Sequence, residues 1–349
     1  MLRMTCSNPL ESIMSYIADI QDFTVILDFI RFGISQARAA SLYYGHGTDN
    51  AEDDIYALVW DTLHLPWDSD EQRFLAARLT EIEKKLLAER LEQRIVQRVP
   101  VPYLTHNAHF CDMTFYVDDR VLIPRSPIAE LIRQQFAPWI AEEQVTRVLD
   151  LCTGSGCIAI ACCAWFPDAQ VDGSDVSEQA LAVAAINSER HQVAEQLTLL
   201  KSDCFDQIPE TVYDIIVSNP PYVAEAGMQT LPAEYRHEPE MALFAEQAGL
   251  AVVHRILNQA GRYLSDHGIL VVEVGEAAEE LIAAYPDVPF VWLDFEQGGE
   301  GIFFIDGANG ARILLRQKYG KTISCSSSRR NGRSGRGHAG RAFGTKVSD

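Results

Sequence analysis

Val148-Leu149-Asp150-Leu151-Cys152-Thr153-Gly154-Ser155-Gly156 is a short apolar strand that runs straight into a glycine-containing turn, with a helix beginning beyond it. Gly154 and Gly156 let the backbone turn tightly and approach a ligand closely. The same alternation continues downstream. Ala169-Gln170-Val171-Asp172, Leu197-Thr198-Leu199-Leu200, Tyr213-Asp214-Ile215-Ile216-Val217 and Ile269-Leu270-Val271-Val272-Glu273-Val274 are further apolar strands with helical stretches between them. From 147 to about 305 this predicts an α/β fold, a mainly parallel sheet covered on both faces. Residues 290–295 and 302–305 flank Gln297-Gly298-Gly299-Glu300-Gly301 and predict a closing antiparallel pair.

Upstream the pattern changes. From about 12 to 99 apolar residues recur at three- and four-residue spacing, as at Ile13, Tyr16, Ile17, Ile20 and at Ala76, Leu79, Ile82, Leu86. That predicts a small helical unit, interrupted by a loop at Tyr44-Gly45-His46-Gly47-Thr48-Asp49-Asn50. After Pro100 and Pro102, residues 109–117 and 121–123 predict two strands joined by a turn at Asp118-Asp119-Arg120. A helix is expected near Ile128.

The bulk numbers exclude several classes. A chain of 349 residues, 47% apolar and 22% charged, is long enough for two globular cores. No apolar run approaches the roughly 20 residues that a membrane span needs, and the first residues do not read as a signal peptide. The expected compartment is the cytoplasm, with no membrane partner. Eight cysteines in a large chain without an export signal read as packed thiols rather than a disulfide framework, and their spacing fits no zinc site. No metal is expected. The formal charge of −20 is uneven: from Lys321 onward seven basic residues stand against one acid, leaving −26 for the first 320. Such a body repels phosphate backbones and attracts basic partners. The Ser/Arg/Gly-rich stretch 324–340 has too few apolar residues to order itself, and a role in RNA binding stays open for it.

Three strand ends carry the signature of a cofactor site. The first is the loop with Asp150, Cys152, Thr153, Gly154, Ser155 and Gly156. A third glycine at the dinucleotide spacing is absent. The second is Gly173-Ser174-Asp175, where a carboxylate can accept both hydroxyls of a ribose or cap the next helix. The third is Ser202-Asp203-Cys204-Phe205, an acid and an aromatic able to meet an adenine. Together they predict a nucleoside-bearing cofactor.

The fourth strand enters Ser218-Asn219-Pro220-Pro221-Tyr222. Two prolines after Asn219 predict a rigid extended turn with exposed carbonyls. An amide or arylamine nitrogen is a poor nucleophile because its lone pair is delocalised. The Asn219 side-chain oxygen and the Pro220 carbonyl can accept its two N–H bonds while Tyr222 covers the planar group, and positioning then supplies the rate. The motif therefore predicts methylation of a planar nitrogen.

On these residues the chain resembles the class I methyltransferases of the protein-glutamine family. The resemblance spans roughly 12–306 and includes Arg98-Val99-Pro100-Val101-Pro102-Tyr103-Leu104, Pro124-Arg125, the glycine loop, Asn-Pro-Pro-Tyr, and Arg236-His237-Glu238-Pro239-Glu240 with Ala242-Leu243. Tyr43-Tyr44-Gly45-His46-Gly47-Thr48-Asp49-Asn50 and Glu234-Tyr235-Arg236-His237-Glu238-Pro239 resemble the branch acting on large-subunit ribosomal protein number three. So does Ser126-Pro127-Ile128-Ala129-Glu130, where the release-factor branch carries another pattern.

The resemblance implies a Rossmann-like seven-stranded sheet with an antiparallel closing strand, and S-adenosylmethionine as cofactor. It implies a helical substrate-recognition unit at 1–106, a β-hairpin linker at 107–127, the methyltransferase domain at 128–317 and a basic tail at 318–349. It implies catalysis by Asn219, Pro220, Pro221 and Tyr222, and substrate contacts from Asn219, Pro220, Tyr222, Arg125 and His46. Arg125 has two open readings, a cofactor carboxylate or an acidic neighbour; Arg236 and His237 are read as supports of the catalytic loop. Two alternatives are a release factor as substrate and an exocyclic amino group of a nucleobase. The last would call for a basic groove, and the acidic body favours a basic ribosomal protein. A non-catalytic assembly factor is a third, opposed by the intact Asn219 and glycine loop.

Overall fold

The computed structural model describes residues 20–67, 72–295 and 298–307. The basic tail, the expected helical repeat at Ile13, Tyr16 and Ile17, and Gln297 lie outside them. The N-terminal part contains α1 (Ile26–Ala39), α2 (Ala51–Thr62), α3 (Gln72–Leu75), α4 (Glu81–Ile95) and α5 (Val101–Thr105). Local chemistry sets their starts. The Asn50 side chain accepts from the Asp53 N–H ahead of α2, and Thr80 with Glu83 forms a capping box ahead of α4. Their apolar faces meet in one core of Phe29, Ile55, Leu58, Leu87 and Leu91.

A hairpin follows, β1 (Ala108–Phe110) with β2 (Met113–Phe115). Its turn is at Cys111-Asp112, not at Asp118-Asp119-Arg120 as the sequence predicts. Cys111 and Asp112 have φ of 50° and 61°, the left-handed pair that a two-residue hairpin turn requires. The Asp118 carboxylate instead accepts from the Arg120 N–H and guanidinium and shapes the loop beyond the hairpin. The chain then enters α6 (Ile128–Arg133).

The remaining elements are β3 (Arg147–Leu151), α7 (Cys157–Trp165), β4 (Gln170–Asp175), α8 (Glu178–Arg190), β5 (Leu197–Lys201), β6 (Tyr213–Ser218), α9 (Glu225–Thr230), α10 (Glu240–Leu243), α11 (Ala251–Ala260), β7 (Leu264–Glu273), α12 (Ala278–Ala284), β8 (Val291–Leu293) and β9 (Ile302–Asp306). The sheet order is β5-β4-β3-β6-β7-β9-β8. β9 alone runs against the others, and it lies inboard, between β7 and the edge strand β8. This is the class I methyltransferase fold. Val148, Ile215, Val217 and Val271 face one core beneath α6 and α7, while Leu149, Ile216, Leu270 and Val272 face the other beneath α11. Burial on both faces explains the near-continuous apolar runs.

The chain steps from β3 outward through β4 to β5, then returns to place β6 on the other side of β3. That reversal opens a crevice beyond the carboxyl ends of β3 and β6. Leu151 stands beside Ser218 in register, and the Ser218 hydroxyl donates to the Leu151 carbonyl at 2.8 Å. Two loops 67 residues apart are thereby held side by side. No helix among the described residues is long and apolar enough to cross a membrane.

Candidate active site

The glycine loop is shaped from beneath. Asp150 is fully buried, and its Oδ2 accepts from Thr153 Oγ1 at 2.6 Å and from the Ala159 N–H at 3.1 Å. Burial pushes its carboxyl up to about 7, against the pull of those two hydrogen bonds. Gly156, at φ 80°, is the residue from which α7 starts. Asn187 of α8, also fully buried, donates to the carbonyls of Ser155 and Tyr116 and accepts from the Tyr116 N–H at 2.7 Å. It clamps the loop to the linker that follows the hairpin.

Above the loop lies a cavity of about 360 Å³. Its walls include Cys152, Thr153, Gly154 and Ser155 from the loop, Asp175 from β4, Asp203 and Cys204 beyond β5, Asn219 and Pro221 beyond β6, and Arg125 from the linker side. The Asp175 carboxylate accepts from the Gly154 N–H at 3.0 Å and the Ser177 N–H at 2.9 Å. Burial raises it. Each oxygen still has a lone pair for a further donor, so ribose recognition and helix capping are compatible. Asp203 is half exposed and bound to Arg255 Nη1 at 2.5 Å. Asp150, Gly156 and Phe205 are not part of the wall. Phe205 is turned into the core, its ring 4.6 Å from that of Tyr263, so Cys204 takes the wall position. Burial raises the thiols at the cavity, Cys204 to about 11 and Cys157 to about 12. They are protonated at neutral pH and are poor nucleophiles.

The loop Asn219-Pro220-Pro221-Tyr222, read from the sequence as catalytic, is braced from behind. Tyr222 donates from its hydroxyl to Glu273 Oε1 at 2.8 Å, and Ser126 Oγ donates to Glu273 Oε2 at 2.5 Å. Glu273 is buried at the end of β7, and burial raises its carboxyl. The Tyr222 ring lies against Gly275 (φ 48°), where an added Cβ would stand 2.5 Å from Tyr222 Cε2. Downstream, Val223 donates to the Leu243 carbonyl, and Ala245 donates back to Val223. Asn219 lines the cavity, and among the described residues no hydrogen bond holds its side-chain amide. It is available to a ligand.

Arg125 pairs with an acidic neighbour. Its guanidinium grips Glu238 with two hydrogen bonds, Nη1 to Oε1 at 2.6 Å and Nη2 to Oε2 at 2.8 Å. Glu238 also accepts from the Ile123 N–H at 3.0 Å, and His46 Nε2 stands 3.5 Å from its Oε2. Burial would raise the Glu238 carboxyl, but His46 and Arg125 outweigh it and hold it at about 2. His46, Pro220 and Tyr222 lie outside this wall, Pro220 and Tyr222 flanking its Asn219 and Pro221; His46 meets the wall through Glu238 and Arg125. His237 does not support the catalytic loop, contrary to the sequence reading: its Nε2 lies 2.9 Å from the Gln97 carbonyl, beside the end of α4. Glu234 carries the neighbouring link, accepting from the Tyr43 N–H and from Arg98 Nη1.

Glu238, Glu273, Ser126 and Asn187 have no assigned role in the sequence reading. Only Glu273 carried a usable signal, an acid closing the buried apolar run Ile269-Leu270-Val271-Val272 of β7. Among the described residues no group of three or more His, Cys, Asp and Glu side chains is placed to hold a metal.

Residues 134–234 match the family model described as Methyltransferase small domain. The chain is 44% identical over 287 residues to the ribosomal protein uL3 glutamine methyltransferase of Francisella tularensis subsp. tularensis (strain SCHU S4 / Schu 4), covering 82% of this chain and 91% of that one. It is 46% identical over 286 residues to the protein of the same name from Neisseria meningitidis serogroup B (strain ATCC BAA-335 / MC58), covering 82% and 93%.

Proposed function

The chain belongs to the family of ribosomal protein uL3 glutamine methyltransferases, and from that premise we propose that it methylates the side-chain amide nitrogen of a glutamine in uL3 with S-adenosylmethionine as donor. One observation carries the chemistry: Asn219, with its side-chain amide free, shares a cavity wall with Asp175 and the glycine loop. Asp175 and the backbone at Gly154 suit a ribose and an amino-acid tail, and Cys204 with Asp203 closes the base end. Bound there, S-adenosylmethionine supplies an electrophilic methyl group on a sulfonium sulfur.

The glutamine amide enters beside the cavity wall, where Asn219 Oδ1 and the Pro220 carbonyl next to it accept its two N–H bonds and the braced Tyr222 ring limits its tilt. A donor held by Asp175 and the glycine loop would give its methyl carbon to the amide nitrogen, the electron pair of the broken sulfur–carbon bond returning to sulfur. The nitrogen then loses a proton to water. A group that becomes acidic on methylation needs no strong base, so the work of these residues is alignment. The helices of the N-terminal part and the loop 43–50 select the protein substrate. The strong negative charge of the body suits a basic ribosomal protein.

Incubation with labelled methyl donor and three acceptors tests this: free uL3, a release factor and unmodified ribosomal RNA. Label is expected on uL3 at a glutamine. Label confined to RNA or to the release factor overturns the substrate assignment.

A further inference from the structure

Three segments remote in sequence converge on one buried carboxylate. The loop 43–50 brings His46, whose Nε2 is 3.5 Å from Glu238 Oε2. The linker brings the Ile123 N–H and the two-pronged grip of Arg125, a residue of the cavity wall. The turn after the catalytic loop brings Glu238 itself, with Tyr235 beside it. The Tyr235 ring is 4.5 Å from the His46 ring, 5.6 Å from the Tyr43 ring and 5.2 Å from the Arg125 guanidinium carbon. The Glu238 side chain has no exposure and that of Arg125 is 23% exposed, so water screens their contact only weakly. A planar guanidinium held at both nitrogens by one carboxylate has a fixed plane. Any displacement of the loop 43–50 moves His46 relative to that carboxylate and to the Tyr235 ring beside it.

We propose that Glu238 is a positioning residue that couples the loop 43–50 to Arg125 on the cavity wall, so that the docked protein substrate and the reacting amide share one frame. This rests on the proposed reaction and adds to it a requirement: turnover on the protein depends on a group that touches neither cofactor nor amide. Tyr43, Gly47 and Asp49 are the exposed residues that the loop 43–50 offers to a docked protein, while His46 beneath them is buried and carries the loop's position to the cavity through Glu238. Among the described residues no hydrogen bond joins Glu238 to Asp175 or to the glycine loop, which build the cofactor half of the cavity.

The test is a double-mutant cycle with uL3 as acceptor, using E238Q, H46A and the double variant. E238Q keeps the side-chain volume but puts an amide against the guanidinium. It is expected to cut kcat/KM for uL3 by about tenfold or more, with the cofactor Kd from calorimetry within about twofold of wild type. H46A is expected to cost less, and nothing further when added to E238Q, because the two act through one contact. Independent, multiplying losses overturn the coupling, and so does an E238Q enzyme with wild-type kinetics on uL3. A purely structural role would instead weaken cofactor binding and thermal stability along with turnover. If E238Q does not fold, H46A with R125K serves the same cycle, with the same non-additivity expected. The wild-type control separates the two readings: no label on uL3 refutes the proposed function, whereas label on uL3 with an additive cycle refutes only the coupling.

Discussion

Replacing Gly275 by alanine should damage the acceptor side of the active site while leaving the cofactor side intact. The new Cβ would stand 2.5 Å from Tyr222 Cε2 and 3.0 Å from Cζ, where ordinary contact begins near 3.5 Å. Gly275 also has φ 48°, a left-handed conformation that costs a residue with a Cβ about 1–2 kcal/mol. If the ring stays, overpacking adds about 1–3 kcal/mol. If it swings away, the 2.8 Å bond from its hydroxyl to Glu273 breaks and leaves a buried acceptor short of a partner, about 1–3 kcal/mol. Either route gives a total of about 2–5 kcal/mol, a large share of the roughly 5–15 kcal/mol of a typical domain. Urea unfolding reads the loss of stability, and initial rates of methyl transfer at saturating donor read the loss of alignment. At temperatures where the variant is folded, turnover should fall more than tenfold, since about 1.4 kcal/mol of misplacement suffices, while the calorimetric cofactor Kd holds. A variant with the wild-type urea midpoint and wild-type turnover would show that the Tyr222 ring is not braced as described.

Asn219→Ala should abolish transfer while donor binding survives in calorimetry; near-normal turnover would remove Asn219 from its acceptor role. Asp175→Ala should weaken the cofactor by about 10- to 100-fold, the worth of charge-assisted hydrogen bonds of about 1.5–3 kcal/mol, and an unchanged Kd would contradict the ribose assignment. Asn187→Ala strips the Ser155 and Tyr116 groups of buried partners, and should lower stability by about 2–4 kcal/mol and loosen cofactor binding with it. Asp214 is lowered: burial pushes it up, but hydrogen bonds from Thr146, Ser265 and the Arg147 N–H outweigh that. Its stabilisation is therefore complete above the unfolded value of about 3.9 and lost as pH falls through the lower folded value. The gap in urea midpoint between wild type and Asp214→Asn should be widest at pH 7 and narrower at pH 3. A constant gap would contradict the shift.

The strands and the loops at their ends were legible because their causes are local. A central parallel strand must be apolar throughout, a tight turn needs glycine, and two prolines after Asn219 stiffen the chain whatever surrounds it. The hairpin turn was misplaced for the same reason: Cys111-Asp112 lacks the Asn-Gly or Asp-Gly signature, whereas Asp118-Asp119-Arg120 looks like a turn and is used as one elsewhere. Phe205 and Asp203 show a second limit. Position beyond a strand end is local, but which way a side chain turns depends on Tyr263 and Arg255, some 50 residues on.

By itself, then, the order of residues determined the strand–helix alternation, the glycine loop and the Asn-Pro-Pro-Tyr turn, since backbone conformation and hydrophobic period act over a few residues. Only the tertiary structure decided that the two loops share a cavity, because the chain reverses around β3 and sets Ser218 against Leu151. It alone decided that Glu273 braces Tyr222 and that Glu238 joins His46 to Arg125. A buried carboxylate is stabilised by donors close in space, and for Glu238 and Arg125 those lie 113 residues apart in the chain.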